Sequence, residues 1–401
     1  MLTVVLSLAV DGAAELFSEY PSIVWLLPVA GFATYGVYRA LRLDYSWSTS
    51  GVMEAVHAGR PVPAPLALAI VAGTSLTVLC GGSVGKEAAA LQMGAAVGGV
   101  FHGRAANSCR KLFARAAMAA ALGAMLGTPM TGAVFCFESL RERPDSIRCV
   151  VAPLVSALVA WGITEVAGAT FLDRSELPVF CDVGNEVIGL AIAIGLCAGL
   201  LSMVFCSALG ILRRGLASLG APVFALAVGG VATALIIGYA DLFHYEELRG
   251  YCGTGAVQVE AALLGGLLPW WAFLAKMALT LLTLAGGFKG GEIMPVLAIG
   301  ACLGATLAPM ASGLMGTNME PLFAAVAMAA FFAACTNCPL TALMLMLELF
   351  GADVMPMALL ATAPAYLIAR SVSLYPTTLR QHASKLQEKD DSGASGVEFH
   401  R

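Results

Sequence analysis

Gly81-Gly82-Ser83-Val84-Gly85-Lys86-Glu87 stands at the head of an apolar stretch, and the second half of the chain repeats it as Gly286-Gly287-Phe288-Lys289-Gly290-Gly291-Glu292. A glycine-rich break running into a membrane helix is suited to hold an anion. The first helical turn presents N–H groups without intrahelical acceptors and carries the positive end of the helix dipole. Glycines let backbone and ion approach closely. A second pair of motifs follows in the same order: Pro129-Met130-Thr131-Gly132 with Glu138 behind it, and Pro339-Leu340-Thr341-Ala342 with Glu348 at the same spacing. Two motifs repeated in one order argue for internal duplication.

Composition sets the class. The chain is 59% hydrophobic and 12% charged, with a mean hydropathy of +0.84, whereas soluble domains are about 25% charged. It reads as an all-α polytopic membrane protein. Stretches near the roughly 18 to 20 apolar residues that cross a bilayer run over 21–38, 63–80, 116–137, 150–171, 187–212, 221–240, 268–285, 293–315, 322–347 and 354–369. Shorter pieces such as 88–101 have the length of half-helices. The 44 glycines and 18 prolines imply tight helix packing and broken helices, which lipid tolerates only where the freed backbone lines an enclosed cavity. That is the build of a transporter or channel. The expected organisation is a first membrane repeat over 1–180, a second over 181–379, and a disordered polar tail over 380–401.

The net charge of −4 is less informative than the clustering of basic residues. Arg104, Arg110, Lys111 and Arg115 form one group, Arg141, Arg143 and Arg148 a second, and Arg213 and Arg214 a third. Short basic loops favour the cytoplasmic side, and no nucleic-acid partner is needed to explain them. The N-terminus lacks a secretory signal pattern, and its apolar run is interrupted by Asp11, Glu15 and Glu19. Of the 11 cysteines, Cys136, Cys197, Cys206 and Cys302 fall in apolar segments and count as small hydrophobes. Cys335-Thr336-Asn337-Cys338 has metal-like spacing but no second ligand pair, and it abuts Pro339 at a helix start. The histidines show no metal-binding spacing. Neither a metal nor a cofactor is expected.

Gly85-Lys86 also suggests a phosphate loop. That pattern needs glycine where Cys80 stands and a hydroxyl where Glu87 stands. A carboxylate there would repel phosphate. Glu87 has two readings: an acidic residue stabilising a helix start, or a functional carboxylate inside the membrane, where an unpaired acid costs several kcal/mol and usually marks an ion path or proton relay. The second explains more. A carboxylate beside a helix-N-terminal anion site can occupy that site itself, and protonation would free it to swing out and admit an external anion.

With these motifs quoted, the chain resembles the CLC family of anion channels and anion/proton antiporters over most of residues 20 to 378. Gly85-Lys86-Glu87 matches the family's Gly-Arg/Lys-Glu motif, whose glutamate is the external gate, and Leu91-Gln92-Met93-Gly94 continues it. Gly290-Gly291-Glu292-Ile293-Met294-Pro295-Val296-Leu297-Ala298-Ile299-Gly300 is similar to the family's Gly-Gly-x-Phe-x-Pro-x-Leu-x-x-Gly, with Ile293 where phenylalanine is common. Ser373-Leu374-Tyr375 resembles the site of the family's anion-binding tyrosine, and Pro129 to Glu138 the stretch ahead of its paired glutamates. The resemblance implies an inverted repeat with broken and re-entrant helices, in a homodimer with one pathway per subunit. It also implies an anion held by the backbone N–H groups of Lys86, Glu87, Ile293 and Met294 and the Tyr375 hydroxyl, with Gly82, Gly85, Gly290 and Gly291 as motif glycines and Glu87 as gate.

Departures from the pattern choose among branches. Chloride-type members carry Gly-Ser-Gly-x-Pro upstream of the gate. Here Ser46-Trp47-Ser48-Thr49-Ser50-Gly51-Val52-Met53-Glu54 lacks the proline, and Ser50 is the candidate serine ligand. The family's inner proton glutamate is the second acid of a pair, whereas Glu138 is followed by Ser139. Gly-Gly-Glu at 290–292 is similar to the fluoride-exporting branch, although Met294 stands where that branch places threonine. Glu292 is either a helix cap, an ion-pair partner of Lys86 or Lys289, or a transport residue. Tyr375 is either the anion-binding tyrosine or an interfacial aromatic, and Glu138 and Glu348 are expected to anchor helices. The expectation is an inner-membrane fluoride/proton antiporter, with a chloride or nitrate transporter or a passive chloride channel of the same fold as the alternative. A membrane-embedded enzyme finds no nucleophile–base set or metal cluster in the spans, and a purely structural protein would not need two broken-helix repeats with buried acids.

Overall fold

The computed structural model describes residues 1–101, 107–141, 146–168, 188–242, 246–266, 268–315 and 319–379. The expected boundary between repeats at 180/181, the tail over 380–401, and Arg104 and Arg143 lie outside them, as does the side chain of Arg110. Among the described residues the chain forms sixteen α-helices. The first eight are α1 (Leu2–Glu19), α2 (Leu27–Ala40), α3 (Thr49–His57), α4 (Leu66–Leu79), α5 (Glu87–Gly99), α6 (Asn107–Leu126), α7 (Pro129–Leu140) and α8 (Ile147–Val166). The rest are α9 (Ile188–Ala217), α10 (Pro222–Leu242), α11 (Ala256–Leu263), α12 (Ala272–Ala285), α13 (Ile293–Met315), α14 (Glu320–Thr336), α15 (Pro339–Phe350) and α16 (Met355–Ala369).

The second eight repeat the first, down to local bonding. Thr77 Oγ1 donates to Gly73 O near the end of α4, and Thr283 Oγ1 to Leu279 O near the end of α12. Left-handed Gly81 (φ 79°) follows the first and Gly287 (φ 85°) the second. The repeats meet back to back. Gly85 N donates to Gly291 O at 2.6 Å and Gly291 N to Gly85 O at 2.7 Å, an isolated antiparallel bridge from which α5 and α13 depart in opposite directions. This pairing shifts the repeat by one position from the alignment that sets Glu87 beside Glu292. Glu87 opens α5 as Ile293 opens α13, so Lys86 corresponds to Glu292.

Two of the expected spans are broken. The apolar runs 116–137 and 322–347 divide into α6/α7 and α14/α15. Pro129 and Pro339, at the first helical position, lack the N–H that a continuous helix would need, and left-handed Gly127 and Asn337 turn the chain just before them. The acidic interruption at the N-terminus does not prevent a helix: α1 buries Leu6, Ser7, Val10, Ala13 and Phe17 and carries Asp11 to a partner described below. Lys111 and Arg115, expected in a loop, lie on α6, where Arg115 is buried.

The centre is made of helices buried on all sides. Residues 322–336 of α14 are buried throughout, as is nearly all of α5. Small residues permit the close approach: a methyl group at Gly300 would stand 2.8 Å from Met328 Cα and one at Gly304 2.1 Å from Phe323 O, the small-residue packing expected of membrane helices. The outer helices α8, α9 and α10 turn Ile147, Val155, Val159, Leu200, Val204, Phe224 and Leu235 outward. Among the described residues five helical segments are long and apolar enough to cross a membrane, so this outer surface suits lipid rather than water.

Candidate functional site

The site grows from the Gly85–Gly291 bridge, which forces two helix N-termini together. A methyl group at Gly291 would lie 2.8 Å from Ala88 N and 3.0 Å from Ala89 N, so the first-turn amides of α5 face the backbone leading into α13. A methyl group at Gly85 would lie 2.5 Å from Glu87 Oε2, 2.6 Å from Met294 Cβ and 3.1 Å from Pro295 Cδ. The Glu87 carboxylate is thus folded back over Gly85, between the starts of α5 and α13. It is 0% exposed; no side chain bonds either oxygen, and the polar groups that act on it locally are the backbone N–H groups of Glu87 and Lys86. An ordinary capping acid sits at the helix surface; this one is enclosed and held by the field of the amides at the helix start, with no side-chain partner. Gly290, at φ 155°, lies so close to Val84 that a methyl group there would stand 2.3 Å from Cγ2. Gly82 is pressed equally hard, against Thr77 Cγ2 at 2.4 Å.

Tyr375 is buried and not an interfacial aromatic. Its ring meets Phe135 edge-on at 5.9 Å, and its buried hydroxyl is directed at the Glu292 carboxylate. Ile293 and Met294 are likewise buried. Glu87, Ile293, Met294 and Tyr375, singled out from the sequence, are therefore all enclosed, two of them placing polar groups in the centre.

Below this centre lies a cavity of about 550 Å³ whose lining includes Tyr38, Tyr45, Gln92, Arg213, Lys289 and Glu292. At its inner end Gln92 Nε2 donates to Thr49 Oγ1 (2.9 Å), and Thr49 Oγ1 donates to Glu292 Oε2 (2.9 Å). Glu292 is 6% exposed. The expected pairing with Lys86 or Lys289 does not form. Lys86 Nζ binds Asp11 of α1, at 2.7 Å and 2.6 Å, and Ser7 Oγ at 2.7 Å. Lys289 Nζ donates to the carbonyls of Tyr45 (2.6 Å) and Trp47 (2.8 Å) and lies 3.9 Å from the Tyr45 ring centre. Both lysines are committed to other groups, and the cation acting on Glu292 is Arg213.

Ser50 does not present its proton to the path, for its Oγ donates to Leu374 O at 3.0 Å. Ser48 is the N-cap of α3, accepting from Gly51 N, so the inward-facing hydroxyl belongs to Thr49. Thr49, Gln92 and Asp11 are the participants the motifs did not assign. Gln92 lay in a quoted motif and Thr49 beside the chosen serine, whereas nothing local marked Asp11. Glu138 and Glu348 make matching contacts on opposite repeats. Glu138 accepts from Leu340 N, Thr341 N and Thr341 Oγ1, and Glu348 from Met130 N, Thr131 N and Thr131 Oγ1. Each carboxylate caps the helix opened by the other repeat's proline.

A family model described as voltage gated chloride channel matches residues 30–370. The chain belongs to this family. A chloride/fluoride channel protein of Pseudomonas syringae pv. tomato is 31% identical over 379 residues, spanning 92% of this chain and 81% of its own. The H(+)/Cl(−) exchange transporter ClcA of Cronobacter sakazakii is 26% identical over 423 residues, spanning 96% of this chain and 86% of its own. Among solved structures, a CLC-type fluoride/proton antiporter superimposes with a TM-score of 0.83 at 25% identity, covering 94% of this chain and 93% of that one. A slow cyanobacterial Cl−/H+ antiporter shares the fold with a TM-score of 0.77 at 20% identity. As a CLC protein the chain is a membrane anion transporter.

Proposed function

We propose that this CLC protein exports fluoride in exchange for protons, as a homodimer in the inner membrane, with Glu87 as gate. The observation that carries the reading is the Glu87 carboxylate: fully enclosed, without a side-chain partner, and folded between two helix N-termini whose amides act on it. As an anion it occupies the place where a transported anion would be held. Once protonated it loses its attraction for the amides and vacates that place, so anion and proton move in alternate steps. The amides of Lys86, Glu87, Ile293 and Met294 and the hydroxyl of Tyr375 would then face the anion.

Fluoride is supported by the donor set. It is basic and strongly hydrated, so several N–H and O–H donors are needed to replace its water. Ser50, the ligand a chloride-type site would use, spends its proton on Leu374 O. The relatives' names point the same way, one including fluoride and one solved structure being a fluoride/proton antiporter. Glu292, enclosed between the cavity and Tyr375, is the acid we assign to the inner proton route, since Glu138 is committed as a helix cap. The chloride/proton reading draws on the ClcA relative. Simultaneous recording of fluoride, chloride and proton flux from liposomes separates the two. Fluoride efflux that drives protons uphill with little chloride flux is the expected result, and chloride flux of comparable size would give the assignment to chloride.

A further inference from the structure

The family match begins at residue 30, so α1 lies outside it, yet α1 touches the gate segment twice. Phe17 presses on the glycine break: a methyl group at Gly81 would stand 2.6 Å from its Cζ. Asp11 takes the Lys86 ammonium with both carboxylate oxygens, and Ser7 Oγ takes the third bond while itself donating to Asp11 Oδ2. An ammonium has three protons to donate, so Lys86 is fully spent on one helix. The pair is asymmetric: the Lys86 side chain is 10% exposed and that of Asp11 50%.

Lys86 directly precedes Glu87 in the chain. The charged groups whose fields reach the Glu87 carboxylate are Lys86 and Asp11, beside the backbone N–H groups of Glu87 and Lys86, and no side chain bonds it. A buried carboxylate next to a buried ammonium would ordinarily close into an ion pair. Here it does not, because a second carboxylate has claimed the cation.

We propose that Asp11 is a positioning residue: by holding the Lys86 ammonium on α1 it keeps that cation from capturing Glu87, leaving the gate free to alternate between proton and anion. The idea rests on the reading of Glu87 as gate. Without the Asp11 charge the ammonium keeps only neutral acceptors, turns to the nearby Glu87 carboxylate, and fixes it in its charged, site-filling form.

The test is proton-coupled anion flux from liposomes, measured against pH for Asp11→Asn, Ser7→Ala and Asp11→Asn/Lys86→Gln. Asp11→Asn should transport about tenfold more slowly at neutral pH and need medium on the order of one pH unit more acidic to regain its rate, as for a carboxylate given a new cationic neighbour. Ser7→Ala removes one acceptor and keeps the charge, so it should shift the profile in the same direction by less. Should Asp11→Asn not yield folded protein, this variant carries the test, and an unshifted profile would count against the proposal. The double variant should recover much of the rate lost by Asp11→Asn, because its backbone amide at 86 is intact and no cation is left to capture Glu87. A wild-type pH profile for Asp11→Asn, or a double variant no faster than the single, would overturn the proposal. A Glu87→Gln control that retains wild-type proton coupling would instead overturn the gate reading, which keeps the two failures distinct.

Discussion

Replacing Glu138 separates an anchor from a proton carrier. Its carboxylate accepts from Leu340 N at 2.9 Å, Thr341 N at 2.7 Å and Thr341 Oγ1 at 2.7 Å, so it joins α7 of one repeat to the start of α15 in the other. Glu138→Gln keeps an oxygen able to accept but loses the charge that the helix dipole favours, at about 1–2 kcal/mol. Glu138→Ala removes all three bonds. Water can reach Leu340 N in the exposed outer turn, but the Thr341 groups are half-buried, so the loss should be about 2–4 kcal/mol. At roughly 2–4 °C per kcal/mol, Glu138→Ala should lower the apparent melting temperature in detergent by several degrees. Glu348→Ala should do nearly the same, because Glu348 makes the same three bonds to Met130 and Thr131. The assay pairs intrinsic tryptophan fluorescence on heating with proton-to-anion stoichiometry in liposomes, and Glu138→Gln should keep wild-type stoichiometry. Loss of proton coupling with an unchanged melting temperature would refute the anchoring argument and return Glu138 to the proton route.

Three further substitutions probe the site itself. Thr49→Val leaves the Gln92 amide and the Glu292 carboxylate each short of a partner, which should cost about 1–3 kcal/mol locally and weaken proton coupling, whereas Ser50→Ala loses one bond to Leu374 O and should change flux little; paired flux assays in which Ser50→Ala is the more damaging would reverse the assignment. Gly85→Ala puts a methyl group 2.5 Å from Glu87 Oε2 and 2.6 Å from Met294 Cβ, so overpacking of about 1–3 kcal/mol should displace the carboxylate and abolish coupled transport, and wild-type coupling in that variant would contradict the close approach of the two helix starts.

The duplicated glycine breaks were legible because the same physics had to be met twice, and the Pro129 and Pro339 motifs because proline at a helix start leaves a fixed trace. The register between repeats was not. Glycines at 286 and 287 and again at 290 and 291 allow two alignments, and only the Gly85–Gly291 bridge selects the one that pairs Lys86 with Glu292. Glu87 and Glu292 look like repeats of each other and are not: one lies between the helix starts with no side-chain partner, the other is held by Thr49 at the cavity end. The breaks at 127 and 337 sit inside apolar runs, where hydropathy carries no sign of a turn. Asp11 was visible only as an interruption, because its partner lies far along the chain and no local periodicity records a contact between helices.

The central claim is that Glu87 alternates between binding a proton and filling the anion site. Its most direct test is proton movement driven by a fluoride gradient in liposomes containing either the wild-type protein or Glu87→Gln, with each protein's fold checked by its melting temperature. The account predicts uphill proton transport by the wild type and none by Glu87→Gln at an unchanged melting temperature. Proton transport by the variant at the wild-type stoichiometry would contradict it.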